Sequence, residues 1–349
     1  MVSVEAGPGK RPVVTGCLIL RNEEVFLERC LRALSPLVDE IIVVDTGSTD
    51  RTVEIARSFG ATVICAEWTE DFSYHRNQAI DLAHGIWIFM VDGDEELLPV
   101  DFAEARYHLE HSPLPEVILV QETLPGPYGL GMTMLQPRLF RKDTGIRYIH
   151  PIHEQLNVPS VGANLSPLHL VHHGYLDPEL KLHKERRNLA IALKMGDHPH
   201  GLHTRARSAM SLSDWPQVLE CADKLLNAEI GPMLMVETCF LGAVAAYETK
   251  NEAAFNKFVS KGREVAPHSP DLRFMEFLAA GQTYLAALNF EGAASNPALF
   301  LRPYMMRHDH QQAQWVVDVL TGNKRIAEER PPAHAAGDAN MAVLLNEGN

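Results

Sequence analysis

The 349-residue sequence predicts an α/β domain on a mostly parallel sheet, followed by an all-α domain of repeated helix pairs. Three observations carry that prediction. Residues 13–97 alternate short apolar runs with helix-periodic segments, the pattern of a parallel sheet. From about Asp177 only helical periodicity remains. Within the first of these segments, the run Trp87-Ile-Phe-Met-Val91 is apolar without alternation, as in a strand buried on both faces. That run stops at Asp92-Gly93-Asp94-Glu95-Glu96, which places four carboxylates at the end of a strand.

The elements follow in order. Val13 to Leu20 reads as the first strand, and Asn22 is the expected cap of a helix with Glu23 and Glu24 in its first turn. Leu27, Leu31 and Leu34 recur at helical spacing. Ile41 to Val44 is a second buried strand, ending in Asp45. Gly47-Ser48-Thr49-Asp50 then supplies a turn and a cap for a helix that runs to Phe59 and stops at Gly60. Ala61 to Cys65 is the third strand and Ser73 to Ala83 the third helix, leading into Trp87. Residues 112–170 are richer in proline and glycine (Pro113, Pro115, Pro125, Gly126, Pro127, Gly129, Gly131, Gly145) and suggest mixed strands with long loops. Residues 203–230 and 235–266 each read as two helices joined by a polar turn, with a less regular copy beginning near Leu272. That spacing fits tetratricopeptide-like repeats. The last residues, with Pro331-Pro332 and several alanines, read as a loose tail.

Composition narrows the function. A formal net charge of −14 makes non-specific nucleic-acid binding an unlikely role, because that binding uses lysine and arginine to neutralise phosphates. The five cysteines include no C-x-x-C pair, so neither a disulfide framework nor a zinc ribbon is expected, and a reducing, cytoplasmic location is. Met1 to Arg11 has no apolar core of the kind a signal peptide needs, and no apolar run approaches the length of a transmembrane segment.

Two strands that end in aspartate, Asp45 and Asp92, bring carboxylates to one edge of a parallel sheet, the edge where such sheets bind ligands. Carboxylates this close repel one another unless a cation sits among them, and hard oxygen donors suit Mg²⁺ or Mn²⁺ shared with substrate phosphates. The first strand is followed by Arg21-Asn22-Glu23 rather than a glycine-rich turn, and no G-x-x-x-x-G-K-[ST] loop exists. Dinucleotide-binding Rossmann domains and P-loop NTPases are therefore excluded.

These pieces, Leu18-Ile-Leu-Arg-Asn-Glu-Glu24, Ile42-Val-Val-Asp-Thr-Gly-Ser-Thr-Asp-Arg-Thr52, Trp68-Thr-Glu-Asp-Phe-Ser-Tyr-His-Arg-Asn77 and Trp87 to Glu95, together resemble the family 2 glycosyltransferases with the GT-A fold. With Ile152-His153-Glu154 and His172-His173-Gly174-Tyr175, they look like the soluble branch that carries a C-terminal tetratricopeptide domain. That branch includes peptide S-glycosyltransferases and enzymes of surface-polysaccharide assembly. The resemblance implies a GT-A domain over residues 1–179, a tetratricopeptide-like domain over 180–325 and a flexible tail over 326–349. It implies inverting transfer of a sugar from a nucleoside diphosphate donor, most often a UDP-sugar, to a peptide, protein or saccharide acceptor. By motif position, Asp45 contacts the uracil, and Leu20, Arg21 and Glu23 line the nucleoside pocket. Arg76 lies near the diphosphate, Asp92 and Gly93 face the ribose, and Asp94 ligates Mn²⁺ or Mg²⁺. Asp92 and His172 are the further metal candidates. His173 stands where the family carries an aromatic residue, which leaves the choice between the two histidines open. An inverting transfer needs a base for the acceptor. Glu154 is the candidate and Asp143 the alternative. Two other classes remain: a repeat scaffold whose transferase domain has degenerated, and a metal-dependent phosphoryl-transfer enzyme acting on nucleotides.

Overall fold

The computed structural model describes residues 11–112, 114–124, 132–158, 165–175 and 178–279. The expected tail, the stretch 280–325 of the helical domain, and Pro113, Pro125, Gly126, Pro127, Gly129 and Gly131 of the mixed region lie outside those residues. The chain divides into two compact units, Met1–Lys181 and Leu182–Asn349.

The first unit runs β1 (Val14–Leu20), α1 (Leu27–Leu34), β2 (Glu40–Asp45), α2 (Thr52–Ser58), β3 (Thr62–Cys65), α3 (Phe72–Leu82), β4 (Trp87–Met90), β5 (Glu95–Leu97), α4 (Phe102–His111), β6 (Val117–Leu124), β7 (Met132–Arg141), β8 (Tyr148–Ile149), β9 (Gln155–Leu156) and β10 (Leu165–His172). Among the described residues, eight strands form one sheet in the order β3-β2-β1-β4-β7-β6-β10-β5, and β8 and β9 form a separate hairpin. Pairing is parallel from β3 through β4, antiparallel across β7, parallel between β6 and β10, and antiparallel at β5. Only β5 and β7 therefore run against the rest, and the sheet is mixed and mostly parallel.

The side-chain period of two explains the unalternating run at β4. Trp87 and Phe89 enter one core with Leu18, Leu31, Val43 and Leu109. Ile88 and Met90 enter the core on the opposite face with Cys17, Val44, Ile80 and Phe140. Trp87 is fully buried, and its indole donates to the carbonyl of Leu109 at 2.8 Å, so the strand's largest side chain leaves no polar group unpaired.

One local expectation fails. Asn22 does not cap α1, which begins at Leu27 after Phe26. Asn22 adopts a left-handed φ of 56°, and its Oδ1 accepts from the Thr49 amide at 2.8 Å. Its own amide donates to Ser48 Oγ at 2.9 Å. The side chain that could have capped the helix instead ties the β1–α1 loop to the β2–α2 loop.

The second unit contains the helices α5 (Pro178–Lys194), α6 (Pro199–Ser211), α7 (Trp215–Leu225), α8 (Pro232–Glu248), α9 (Glu252–Val265) and α10 (Pro270–Ala279), the first of which straddles the division. The α6–α7 and α8–α9 turns are built alike. Asp214 caps α7 by accepting from the Gln217 amide, and Asn251 caps α9 by accepting from the Ala254 amide. A Cβ at Gly242 would lie 2.5 Å from the ring of Phe258, so the close approach of α8 and α9 requires glycine there. No helix of the described residues is long and apolar enough to cross a membrane.

Candidate functional site

β1, β2 and β4 deliver their last residues to one edge, with Leu20 paired to Asp45 and Cys17 to Met90 in the register. Asp45 is buried at 3% exposure. Its Oδ2 accepts from the amides of Gly47 and Ser48, both at 3.1 Å, which orients the carboxylate. Its Oδ1 is buried with no hydrogen-bond partner. A buried oxygen of this kind is costly unless a ligand donates to it. Leu20 is buried beside it, and its carbonyl accepts from the amide and hydroxyl of Thr46. Gly93 packs against the same place: a Cβ there would lie 2.6 Å from Leu20 Cδ2 and 3.1 Å from Glu23 Cγ. Leu20, Glu23 and Gly93 are thus brought together, whereas Arg21 is exposed at the end of β1.

Beyond Met90 the charged groups are interleaved. Arg76, on α3, is buried, and its guanidinium bridges Asp92 Oδ1 at 2.9 Å and Glu154 Oε1 at 2.6 Å. The helix N-terminus that positions it is capped by Asp71, which accepts from the Tyr74 amide. Arg76 Nη1 is buried without a hydrogen-bond partner. Arg138 enters from β7 and reaches Asp92 Oδ2 at 3.2 Å, Glu95 Oε1 at 2.7 Å and Glu122 Oε2 at 3.0 Å. Burial alone would raise the Asp92 carboxyl, but Arg76 and Arg138 outweigh it and hold that carboxyl well below the usual range. Both Asp92 oxygens are engaged by arginine. Glu95 goes the other way, pushed up to about 8 by burial and by neighbouring Asp92 and Glu122, against the pull of Arg138.

Asp94 and His172 meet on the other side of the cluster. Both are buried, and His172 Nε2 lies 3.0 Å from Asp94 Oδ1. The second ring nitrogen, Nδ1, lies 3.4 Å from Glu122 Oε1 and 3.9 Å from Glu95 Oε1. Burial opposes a charged imidazole, but Asp94 and Glu122 prevail and push its pKa up to about 10. His173 faces away, with its Nε2 2.9 Å from Glu96 Oε2 and its ring stacked on Phe26. Of the two adjacent histidines, His172 is therefore the one that joins the carboxylate cluster.

Glu154 lies on the loop between β8 and β9, where His150 and His153 adopt left-handed φ of 73° and 49°. That loop is stitched to the start of α3: Pro151 O accepts from the Phe72 amide, and His150 O from the Ser73 hydroxyl. Asp143 sits at the opposite edge, next to the strand start at Ile86 and paired with Arg11. The structure thus separates the two candidate bases.

Sequence reading missed Arg138 and Glu122. Their strands follow the site motifs by some tens of residues and fall in the region with the weakest periodicity. One signal was present: Pro137 lies inside a strand, which marks a bulge or an edge. Ile118 pairs with Leu139 and Leu119 with Pro137, so Arg138 is the extra residue of a β-bulge. The expected cation among the carboxylates is therefore supplied at least in part by two arginines.

The donor set still suits a hard divalent ion. Asp94 offers a carboxylate oxygen and His172 an imidazole nitrogen on one side, while Glu95, Glu122 and His172 present ligand atoms all within 4.8 Å of one another on the other.

The family model described as glycosyl transferase family 2 matches residues 17–114. A TPR repeat-containing protein of Synechococcus elongatus is 37% identical over 201 residues, which cover 53% of this chain and 49% of that protein. The SPbeta prophage-derived glycosyltransferase SunS of Bacillus subtilis is 40% identical over 85 residues, 24% of this chain and 20% of SunS. The chain therefore spans about half the length of the first of these relatives and less of the second. Among solved structures, S. aureus TarS 1–349 aligns over 72% of this chain and 91% of its own, at 15% identity and a TM-score of 0.41. The glycosyl transferase family 2 match, over residues 17–114, takes in Asp45, Asp92 and Asp94.

Proposed function

We propose that the protein is an inverting, metal-dependent glycosyltransferase that moves a sugar from a nucleoside diphosphate donor, a UDP-sugar, to a peptide, protein or saccharide acceptor. The observation that carries this reading is the pairing, on one sheet edge, of a buried Asp45 oxygen without a donor and the buried Asp94–His172 pair. Uracil has one ring N–H, which answers Asp45 Oδ1. Leu20, Glu23 and Gly93 form the wall beside it, and Arg21 borders the opening.

Asp94 and His172 Nε2 are the residues that would hold Mn²⁺ or Mg²⁺, which supplies charge to the departing diphosphate when bound. Support comes from the second nitrogen: a metal-bound histidine commonly gives its other N–H to a carboxylate, and Glu122 stands at that position. In this reading Asp92 is not a metal ligand. It orients Arg76 and Arg138, and Arg76 presents Nη1 toward the diphosphate. Glu154 accepts the acceptor's proton through Oε2, since Oε1 is held by Arg76. The new glycosidic bond forms at the anomeric carbon from the face opposite the departing UDP. The helical unit, from about residue 180, selects the acceptor.

The test is incubation of the full chain with UDP-sugars, with and without Mn²⁺, followed by product analysis. Metal-dependent release of free sugar and UDP is expected. Release of inorganic phosphate would favour phosphoryl transfer, and no turnover or binding of any nucleotide-sugar would favour a degenerate scaffold.

A further inference from the structure

His172 has two faces, and metal could reach either. Toward Nε2 stands Asp94; toward Nδ1 stand Glu95 and Glu122, which with His172 form a buried group of three ligand atoms within 4.8 Å of one another. By spacing alone, the second group is the better trap, with two carboxylates and an imidazole.

Arg138 lies against that trap. One nitrogen, Nη2, lies 2.7 Å from Glu95 Oε1, 3.0 Å from Glu122 Oε2 and 3.2 Å from Asp92 Oδ2. A guanidinium Nη carries two hydrogens, yet three carboxylates converge on it. At least one hydrogen is therefore shared, and the positive charge sits among all three carboxylates. The β-bulge at Arg138 is what points the side chain there from the middle of a strand. The guanidinium cannot shed its charge, so a divalent ion beside Glu95 and Glu122 would face a fixed positive charge a few ångströms away in a poorly screened interior.

We propose that Arg138 is a built-in cation that closes the Glu95–Glu122–His172 pocket to divalent metal, leaving Asp94 and His172 Nε2 as the one metal-binding pair. The proposal rests on the metal-dependent reading above. Arg138 acts here as a positioning residue. By occupying Glu122 Oε2 it leaves Oε1 to face His172 Nδ1, which turns Nε2 toward Asp94.

The experiment is Mn²⁺ titration of the full-length protein without nucleotide, read by calorimetric stoichiometry and by the electron paramagnetic resonance of unbound Mn²⁺. Wild type should bind one Mn²⁺, and Asp94→Asn should abolish it. Arg138→Met should also bind one, because a neutral imidazole offers one lone pair to metal, but in that background Asp94→Asn should no longer abolish binding, whereas Asp94→Asn with Glu122→Gln should. Arg138→Lys with Asp94→Asn, which keeps the charge, should bind none. A folded Arg138→Met/Asp94→Asn that binds none, as Asp94→Asn alone does, overturns the proposal and leaves the metal-dependent reading intact. A wild type that binds none, beside an Arg138→Met that gains an Asp94-independent site, overturns that reading and keeps the closing role of Arg138. If Arg138→Met does not fold without metal, Arg138→Gln replaces it. For either variant combined with Asp94→Asn, Mn²⁺ should raise the unfolding midpoint, as it should not for Asp94→Asn alone, and no rise overturns the proposal.

Discussion

At the carboxyl edge of the sheet, Arg76 and Arg138 keep only 7% and 12% of their side chains exposed, whereas Lys224 and Lys257 of the helical unit keep 40% and 53%. All four are ion-paired. The helical pairs, Lys224 with Asp197 and Lys257 with Asp223, are solvated and screened, and contribute little to stability. The edge cluster has lost much of its hydration and is sustained only by mutual pairing, so removing one member strands the others. A protein that needed only a stable fold would do as well with apolar side chains there. The contrast supports the proposed binding site at the sheet edge and leaves the two lysine pairs to solubility.

The comparison predicts a steep gradient of effects. Arg76→Ala leaves Asp92 and Glu154 without their shared partner and should cost about 3–5 kcal/mol in urea unfolding. A loss as small as that of a surface pair would contradict the assignment of Arg76 to the buried network. Asp45→Ala should lower UDP affinity by about 1.5–3 kcal/mol, roughly ten- to a hundredfold, with a smaller loss for GDP, as read by calorimetry. Equal losses for both nucleotides would remove Asp45 from base recognition.

Acid stability separates the regions next. Asp92 has a folded-state pKa depressed below its unfolded value, so its stabilisation is present above about pH 4 and is lost as pH falls through the folded value. Asp92→Asn should therefore flatten the acid limb of the stability–pH curve. An unchanged limb would mean that the two arginines do not act on Asp92 as described. The smallest effect belongs to Lys257→Ala, which should change stability by less than about 1 kcal/mol and lose even that in high salt.

The same contrast explains what was legible in the sequence. The β1–β4 half announced itself because buried parallel strands are short apolar runs and their helices carry leucines at helical spacing. Asp45 and Asp92 were visible because each follows such a run directly, and Asp94 because it lies two residues further on. The helix pairs were legible from their periodicity and from the polar turns that join them. The failures were of two kinds. Asn22 has the right chemistry for a cap, and only the nearness of Thr49, a tertiary fact, diverts it. Arg138 and Glu122 come from strands whose neighbours in space are distant in sequence, and Arg138 points inward only because Pro137 accompanies a bulge. Repulsion among the carboxylates was read correctly as demanding positive charge. The two arginines that supply part of that charge were not foreseen, because an arginine on a later strand leaves no local mark beside Asp92.

The proposed metal-binding pair of Asp94 and His172, which would couple the sheet edge to a nucleoside diphosphate, is tested most directly by calorimetric UDP binding to wild type and Asp94→Asn, each with Mn²⁺ and with EDTA. Even groups that only support a metal ligand are worth about 10–100-fold in metal affinity, so loss of a ligand itself should reach or exceed the upper figure. Wild type should bind UDP tightly only with Mn²⁺, and Asp94→Asn should bind equally weakly in both conditions. Tight binding that is indifferent to EDTA in both proteins would contradict it.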